Sequence, residues 1–209
     1  MAEIPTTRRR RANGEESRRK ILDAAADVAS ERGYDGTSIA LVSKKCGLPA
    51  SSIYWHFKDK DDLIAAVIER SFGTWLEAVS VPDGDNPRTR IADMSMQIAR
   101  ALLETPDFLR LGLMLALERR PEEVRARTMF LSVRDEAHRR IAATMREFAP
   151  DLSEESIKLL TTYAISAADG LFIAKEIGGD DVDLIALFEL HGNLVYDAAV
   201  SLAQVAADR

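Results

Sequence analysis

The sequence predicts an all-α protein of about nine helices: an N-terminal three-helix unit with helix-turn-helix layout, followed by a larger helical body. Three observations predict it. From Ser17 the apolar residues Ile21, Ala25, Val28 and Ala29 recur at i, i+4, i+7 and i+8, which places them on one helix face. No segment of the 209 residues shows sustained period-two alternation. Helix-starting and helix-ending residues punctuate the chain almost to its end.

The elements follow in order. Residues 1–16, MAEIPTTRRRRANGEE, are polar and aperiodic and read as a flexible basic arm. A first helix runs from Ser17 to Gly33. The stretch GTS at 36–38 supplies the next N-cap, and a short helix over 38–45 is closed by Gly47. Pro49 suits the first turn of a third helix, 49–56, because its missing N–H would be unpaired there anyway. Asp59 caps a fourth helix with Asp62 three residues on, an approximate capping box whose acids the helix dipole favours. These boundaries give an arm over 1–16, a helix-turn-helix domain over 17–58 and a body over 59–209. In the body, VPDGDNPR separates helices, Thr105-Pro106 starts one, and Pro121, Glu122 and Glu123 start another that ends at Phe148 before Pro150. Ser153 and Glu155 open a long helix that closes on Gly178-Gly179, and Asp183 caps the last, over 183–207.

Composition narrows the function. The single cysteine, Cys46, has no internal partner, and three widely separated histidines offer no metal-site spacing, so neither a metal nor another cofactor is expected. No apolar run approaches the ~20 residues needed to cross a bilayer, and the N-terminus lacks the apolar stretch of a signal peptide; the chain reads as cytoplasmic. The net charge of −6 is unevenly spread. Residues 1–60 carry 12 Lys and Arg against 8 Asp and Glu, whereas the remainder carries 16 against 26. A basic end on an acidic body is the electrostatic footprint of a DNA-contacting domain, the alternative being a solvated charge run without a partner.

The stretch SSIYWHFKDKDDL at 51–63 carries the candidate chemistry. Ile53 and Phe57, four apart, face the core with Ile21, Val28 and Val42, which leaves Ala50, Ser51, Tyr54 and Trp55 on the opposite face. Small first-turn residues permit close approach to base edges, serine hydroxyls donate or accept, and Ala50 suits a thymine methyl. Tyr54, Trp55, His56, Lys58 and Lys60 suit phosphates.

Residues 17–68 resemble the DNA-binding domain of tetracycline-repressor (TetR) family regulators, through KILDAAADVASERGYDGTS followed by CGLPASSIYWHFKDKDDL, about a quarter of the chain without a gap. The resemblance implies that Ala50, Ser51, Ser52 and Tyr54 meet the major groove, while Ser38, Trp55, His56 and Lys60 hold the DNA backbone. The sequence departs from the usual pattern at Pro49, at Ser51 and at Val42-Ser43, and Ala40 leaves the second helix without a long polar side chain. Readout then leans on the third helix and on the arm, whose Arg10 and Arg11 are suited to the minor groove.

For the body the resemblance implies a homodimer and a cavity for a small-molecule effector. The last two helices are apolar beyond what one buried face requires. Ala164, Ala167, Leu171 and Phe172 on one, and Leu187, His191, Leu194 and Ala198 on the other, form stripes from which two copies can build a four-helix interface, the alternative being an ordinary monomeric core. Phe72, Trp75, Met94, Phe108, Met114, Met129, Phe130 and Tyr163 lie on helices that surround the cavity in family members; Arg134, Gln97 and His138 are polar candidates there. Asp169, inside an apolar helix beside Gly170, reads either as a ligand anchor or as a hydrogen-bonding group across an interface.

Enzyme chemistry has little support. DEAH at 135–138 spells a nucleotide-hydrolase motif, but no GxxxxGK[ST] phosphate loop accompanies it and no nucleophile elbow occurs. The reading that results is a homodimeric repressor released from a palindromic operator when a small apolar molecule binds the body and tilts the fourth helix. The alternative is a small-molecule binding protein of the same fold without specific operator function.

Overall fold

The computed structural model describes residues 6–80, 82–118 and 124–207, with side chains over 13–80, 82–118 and 124–205. Among the described residues it contains nine α-helices and no strand: α1 (Thr6–Gly36), α2 (Ile39–Cys46), α3 (Ala50–His56), α4 (Lys60–Ala78), α5 (Pro87–Glu104), α6 (Pro106–Leu117), α7 (Arg125–Phe148), α8 (Glu154–Gly178) and α9 (Leu184–Ala207). The caps expected from sequence close these helices. Ser38 and Ser153 each accept a backbone N–H at a helix start, and Asp183 accepts the N–H of Ala186. Asp59 accepts the N–H of Asp62, whose own carboxylate accepts the N–H of Lys58, so the capping box at α4 is reciprocal, displaced one residue toward Lys58.

Two boundaries differ from the sequence reading. The segment expected as an arm over 1–16 is helical from Thr6, continuous with α1; the side chains of Arg10 and Arg11 lie outside the described residues. Gly33 does interrupt α1, with φ 68° and ψ −177°. Pro49 is the N-cap rather than the first helical residue of α3. Pro121, Glu122 and Glu123, expected to open α7, also lie outside the described residues.

The chain divides into two compact units. The first comprises the chain up to Phe72 together with Asp107–Ser132; the second comprises Gly73–Pro106 and the chain from Val133 onward. The boundary expected between 58 and 59 therefore falls inside the first unit. In that unit Ile21, Leu22, Ala25, Val28, Val42, Ile53, Phe57, Leu63 and Val67 form one core, which closes α1, α2 and α3 into a helix-turn-helix on the front of α4. In the second unit Ala142, Met145, Leu152, Ile157, Leu160, Ala164, Val195 and Ala199 form another, contributed by α7, α8, α9 and the connection between α7 and α8.

Helix α8 with the turn after it, Glu154–Asp181, is long and apolar enough to cross a membrane by length and composition only, a test that core helices pass as well. Its apolar residues fall on two faces. Ile157, Leu160, Ala164 and Phe172 are buried. Leu159, Tyr163, Ile173 and Ile177 are exposed, the last by 83%, and Ser166 and Gly170 continue the same i, i+3/i+4 row.

At the crossing of α8 and α9 the imidazole of His191 is buried, edge-on to Phe188, and hydrogen-bonds the Ala164 backbone. Burial holds its pKa below the ordinary histidine value. The folded state then binds fewer protons than the unfolded one, so this contribution to stability is complete above the ordinary histidine pKa and is lost as pH falls through the folded value. Lowering the pH from 7.5 to 5.5 is expected to depress the melting temperature, and His191→Gln to shrink that depression relative to the parent. An equal depression in both proteins would remove His191 from the account.

Candidate functional site

The turn between α2 and α3 is built by residues with specific backbone tasks. Gly47 adopts φ 70°, a left-handed conformation that disfavours other residues, and its N–H closes α2 on the carbonyl of Ser43. The Ser43 hydroxyl donates to the Leu48 carbonyl at 2.7 Å and so fastens the turn at one of the positions where the sequence departs from the family pattern. Val42 and Ile53 are fully buried, which fixes the rotation of α2 and α3 on the core.

That rotation leaves the side chains expected to meet DNA at the surface. Ser51 is exposed, Ala50 and Ser52 are half-buried, and Tyr54 and Trp55 are 58% and 76% exposed. Two large rings left in water at the end of a seven-residue helix bury little for the fold. The outer edge of Trp55 lies against α1 at Gly14, and its ring stands edge-on to His56 at 4.5 Å. Burial, with the neighbouring Arg18 adding to it, holds His56 below the ordinary histidine pKa. The guanidinium of Arg18 itself sits 5.3 Å over the Phe57 ring. The Ser38 oxygen accepts the N–H of Leu41 at 3.3 Å, which leaves its hydroxyl hydrogen available to a phosphate. Lys58 is exposed. Lys60 is engaged within the chain: its ammonium donates to the Tyr34 carbonyl at 3.1 Å and lies 4.3 Å from the Tyr34 ring. Sequence reasoning also passed over Asp61, which accepts from Tyr34 and from the first turn of α7; two consecutive acids at a helix start were its signal.

The residues expected around a ligand cavity separate into groups. Phe72, Phe108 and Phe130 form a buried row of rings in the first unit, with centroids 5.8 and 6.1 Å apart. Met114 lines a cavity of about 250 Å³ in the same unit with Gly33, Asp107 and Leu111, and Met129 is half-buried. In the second unit Trp75 and Met94 line a cavity of about 150 Å³ with Leu76, Val79, Ile98 and Ile141. Tyr163 is exposed on the outer row of α8. Among the polar candidates, Gln97 accepts the N–H of Ser80 at 2.9 Å, His138 lies 3.4 Å from the Thr162 hydroxyl, and Arg134 makes a two-pronged ion pair with Asp169. Burial raises the Asp169 pKa against the opposing pull of Arg134. Asp169 thus pairs within its own chain, a partner the sequence reading did not consider. Asp135 and Glu136 of the DEAH stretch pair with Arg139 and Arg140 along one exposed helix face.

The residues expected on a dimer face also divide. Ala164, Phe172 and His191 are buried inside the second unit, Ala167, Leu171, Leu187 and Ala198 are half-buried, and Leu194 is exposed.

Comparison with known proteins agrees with the geometry of α1–α4. The family described as bacterial regulatory proteins, tetR family, matches residues 21–67. The HTH-type transcriptional regulator AcrR of Shigella flexneri is 39% identical over 64 residues, but that match spans 31% of this chain and 30% of the relative. The HTH-type transcriptional repressor Rv1474c of Mycobacterium tuberculosis is 30% identical over 192 residues, covering 85% of this chain and 92% of the relative. The chain belongs to the TetR family. Its fold extends to solved members: the transcriptional regulator FadR of Bacillus subtilis, solved with stearoyl-CoA, superimposes with a TM-score of 0.71 at 18% identity over 84% of this chain and 96% of that one. As a TetR-family protein the chain is a helix-turn-helix transcriptional regulator, and the matched segment takes in α2 and α3 whole.

Proposed function

We propose that the protein is a homodimeric repressor that grips a palindromic operator through α3 of each protomer and releases it when a small apolar molecule enters the second unit. The observation that carries the DNA-contact half of this reading is the exposed Tyr54-Trp55 pair, set beside the serines of α3 and the basic first helix. Ser51, Ser52 and Tyr54 supply polar contacts to base edges; Ala50 supplies an apolar one. Ser38, Trp55, His56 and Lys58 contact phosphates, and Lys60 acts through Tyr34. Arg10 and Arg11 add sequence-independent attraction.

The dimer face assigned is the outer row of α8, Leu159, Tyr163, Ile173 and Ile177, with Leu190 and Leu194 of α9. The buried members of the expected stripes serve the protomer's own core. An exposed apolar row of this length is suited to a partner helix. A two-fold dimer supplies the two recognition helices that half-sites one helical turn apart require. The effector site assigned is the cavity lined by Trp75 and Met94, whose volume suits roughly one aromatic ring before any expansion. The stearoyl-CoA bound by the Bacillus subtilis protein makes acyl-CoA esters a second class worth testing. Because α4 starts in the first unit and continues into the second, a ligand that favours one placement of α4 shifts the population of dimer shapes, and by no more than its differential affinity allows.

Tyr54→Ala is expected to leave folding and dimerisation intact and to weaken operator binding by about tenfold or more, as loss of a base or phosphate contact costs roughly 1–3 kcal/mol. Fluorescence anisotropy on operator and on random DNA of equal length checks it; unchanged operator affinity would take α3 out of the interface. Removing residues 2–14 is expected to lower affinity and to flatten the dependence of log affinity on log salt, because fewer counterions are released. An unaltered slope would mean that the arginines do not reach DNA.

A further inference from the structure

Asp61 is the second residue of α4, and its carboxylate holds donors from two other helices. One oxygen accepts from the Tyr34 phenol at 3.0 Å, near the end of α1, and from the backbone N–H of Ala126 at 3.0 Å. The other accepts from the backbone N–H of Arg125 at 2.5 Å. Arg125 and Ala126 begin α7, whose first N–H groups have no partner within their own helix, and a carboxylate is favoured there by both hydrogen bonding and the helix dipole. The flanking residues reinforce the junction. Asp62 pairs with the Arg125 guanidinium at 2.7 Å, and Lys60 holds the Tyr34 carbonyl and ring. Three consecutive residues therefore fasten the start of α4 to the end of α1 and the start of α7, all within the first unit.

We propose that Asp61 is a positioning residue for DNA recognition: it sets the placement of α3 by clasping α4 to the first turn of α7. The proposal rests on the reading of α3 as the operator-contacting helix. Only Phe57, Lys58 and Asp59 separate α3 from α4, and Phe57 is buried, so a displacement of the start of α4 is passed to α3 rather than absorbed in a loop. Helix α7 continues past Ser132 into the second unit, which gives an axial shift of α7 a direct hold on Asp61.

Asp61→Asn separates this role from electrostatics and from simple capping. The substitution removes a negative charge from the DNA-binding unit, which by itself strengthens attraction to DNA; a loss of operator affinity is then opposite in sign to the charge effect. Three quantities are measured on the full chain: operator affinity, affinity for random DNA at low salt, and amide hydrogen exchange of residues 124–132. The expected result is an operator affinity lowered about tenfold, a random-DNA affinity equal to or above the parent's, and faster exchange at the start of α7. Tyr34→Phe is expected to move operator affinity the same way by a smaller factor, and Asp61→Glu to restore part of it. Operator affinity within twofold of the parent despite lost protection in α7 would overturn the proposal, leaving Asp61 as a cap alone. Equal loss on operator and random DNA with a lowered melting temperature would overturn it in favour of a folding role. Absence of selective DNA binding by the parent chain overturns the regulator reading itself, and is seen before any substitution is made.

Discussion

Leu190→Asp combined with Leu194→Asp is expected to give a folded monomer with at least about a hundredfold lower operator affinity. Both leucines are about half exposed on α9, so the substitutions add charge where the protomer's own core is not packed, and exposed changes of this kind usually alter stability by less than about 0.5 kcal/mol. At a dimer interface the same two carboxylates are desolvated near their symmetry mates and oppose association. A monomer presents one α3 and one half-site's worth of contacts; the loss on uncoupling two half-sites is of the order that separates specific from non-specific DNA binding. Sedimentation velocity reads the first effect and anisotropy on operator DNA the second. Leu103→Asp, at an exposed position on α5, is the control expected to change neither. A double variant that stays dimeric would move the interface away from α8 and α9.

Gly112→Val is expected to destabilise the first unit by about 2–4 kcal/mol, because the core of that unit has no room for a side chain on α6 at this position. A Cβ built on Gly112 would stand 2.0 Å from one atom of the Phe130 ring and 2.1 Å from another. Phe130 is fully buried and its ring packs at a tilt against Phe108, which packs likewise against Phe72. The ring cannot swing aside without moving the row. With roughly 2–4 °C per kcal/mol for a chain of this size, thermal unfolding should begin near 5–15 °C lower. Gly112→Ala with Phe130→Leu should recover part of the loss, since the smaller side chain returns the space. A Gly112→Val protein that melts with the parent would show that this crossing is not close-packed.

These three rings mark what sequence can and cannot state. Aromatic and methionine side chains at helical spacing suit a pocket wall and a core equally, and only the path of α6 past α7 assigns Phe72, Phe108 and Phe130 to core while Trp75 and Met94 line a cavity. The helix-turn-helix was legible residue by residue, because capping, the left-handed Gly47 and the burial of Ile53 and Phe57 are local consequences of side-chain chemistry. The phase of α8 was not. A helix that is apolar on two faces has no single stripe, so periodicity puts Ala164 and Phe172 on an interface although both are buried within the protomer, and it does not single out Leu159, Ile173 and Ile177. Thr6–Glu16 carry no apolar periodicity to announce a helix; that stretch is continuous with α1, which begins with it. Lys60 reads as a phosphate contact from charge alone, and its engagement with Tyr34 follows from the end of α1 returning to the start of α4.

The most direct test of the central claim is to footprint the purified protein, in moderate salt, on the DNA immediately upstream of its own gene. The account predicts a bounded, protected palindrome with half-site centres about one helical turn, or a multiple of it, apart, and protection that Tyr54→Ala weakens. Diffuse, salt-sensitive protection without boundaries, indifferent to Tyr54, would contradict it.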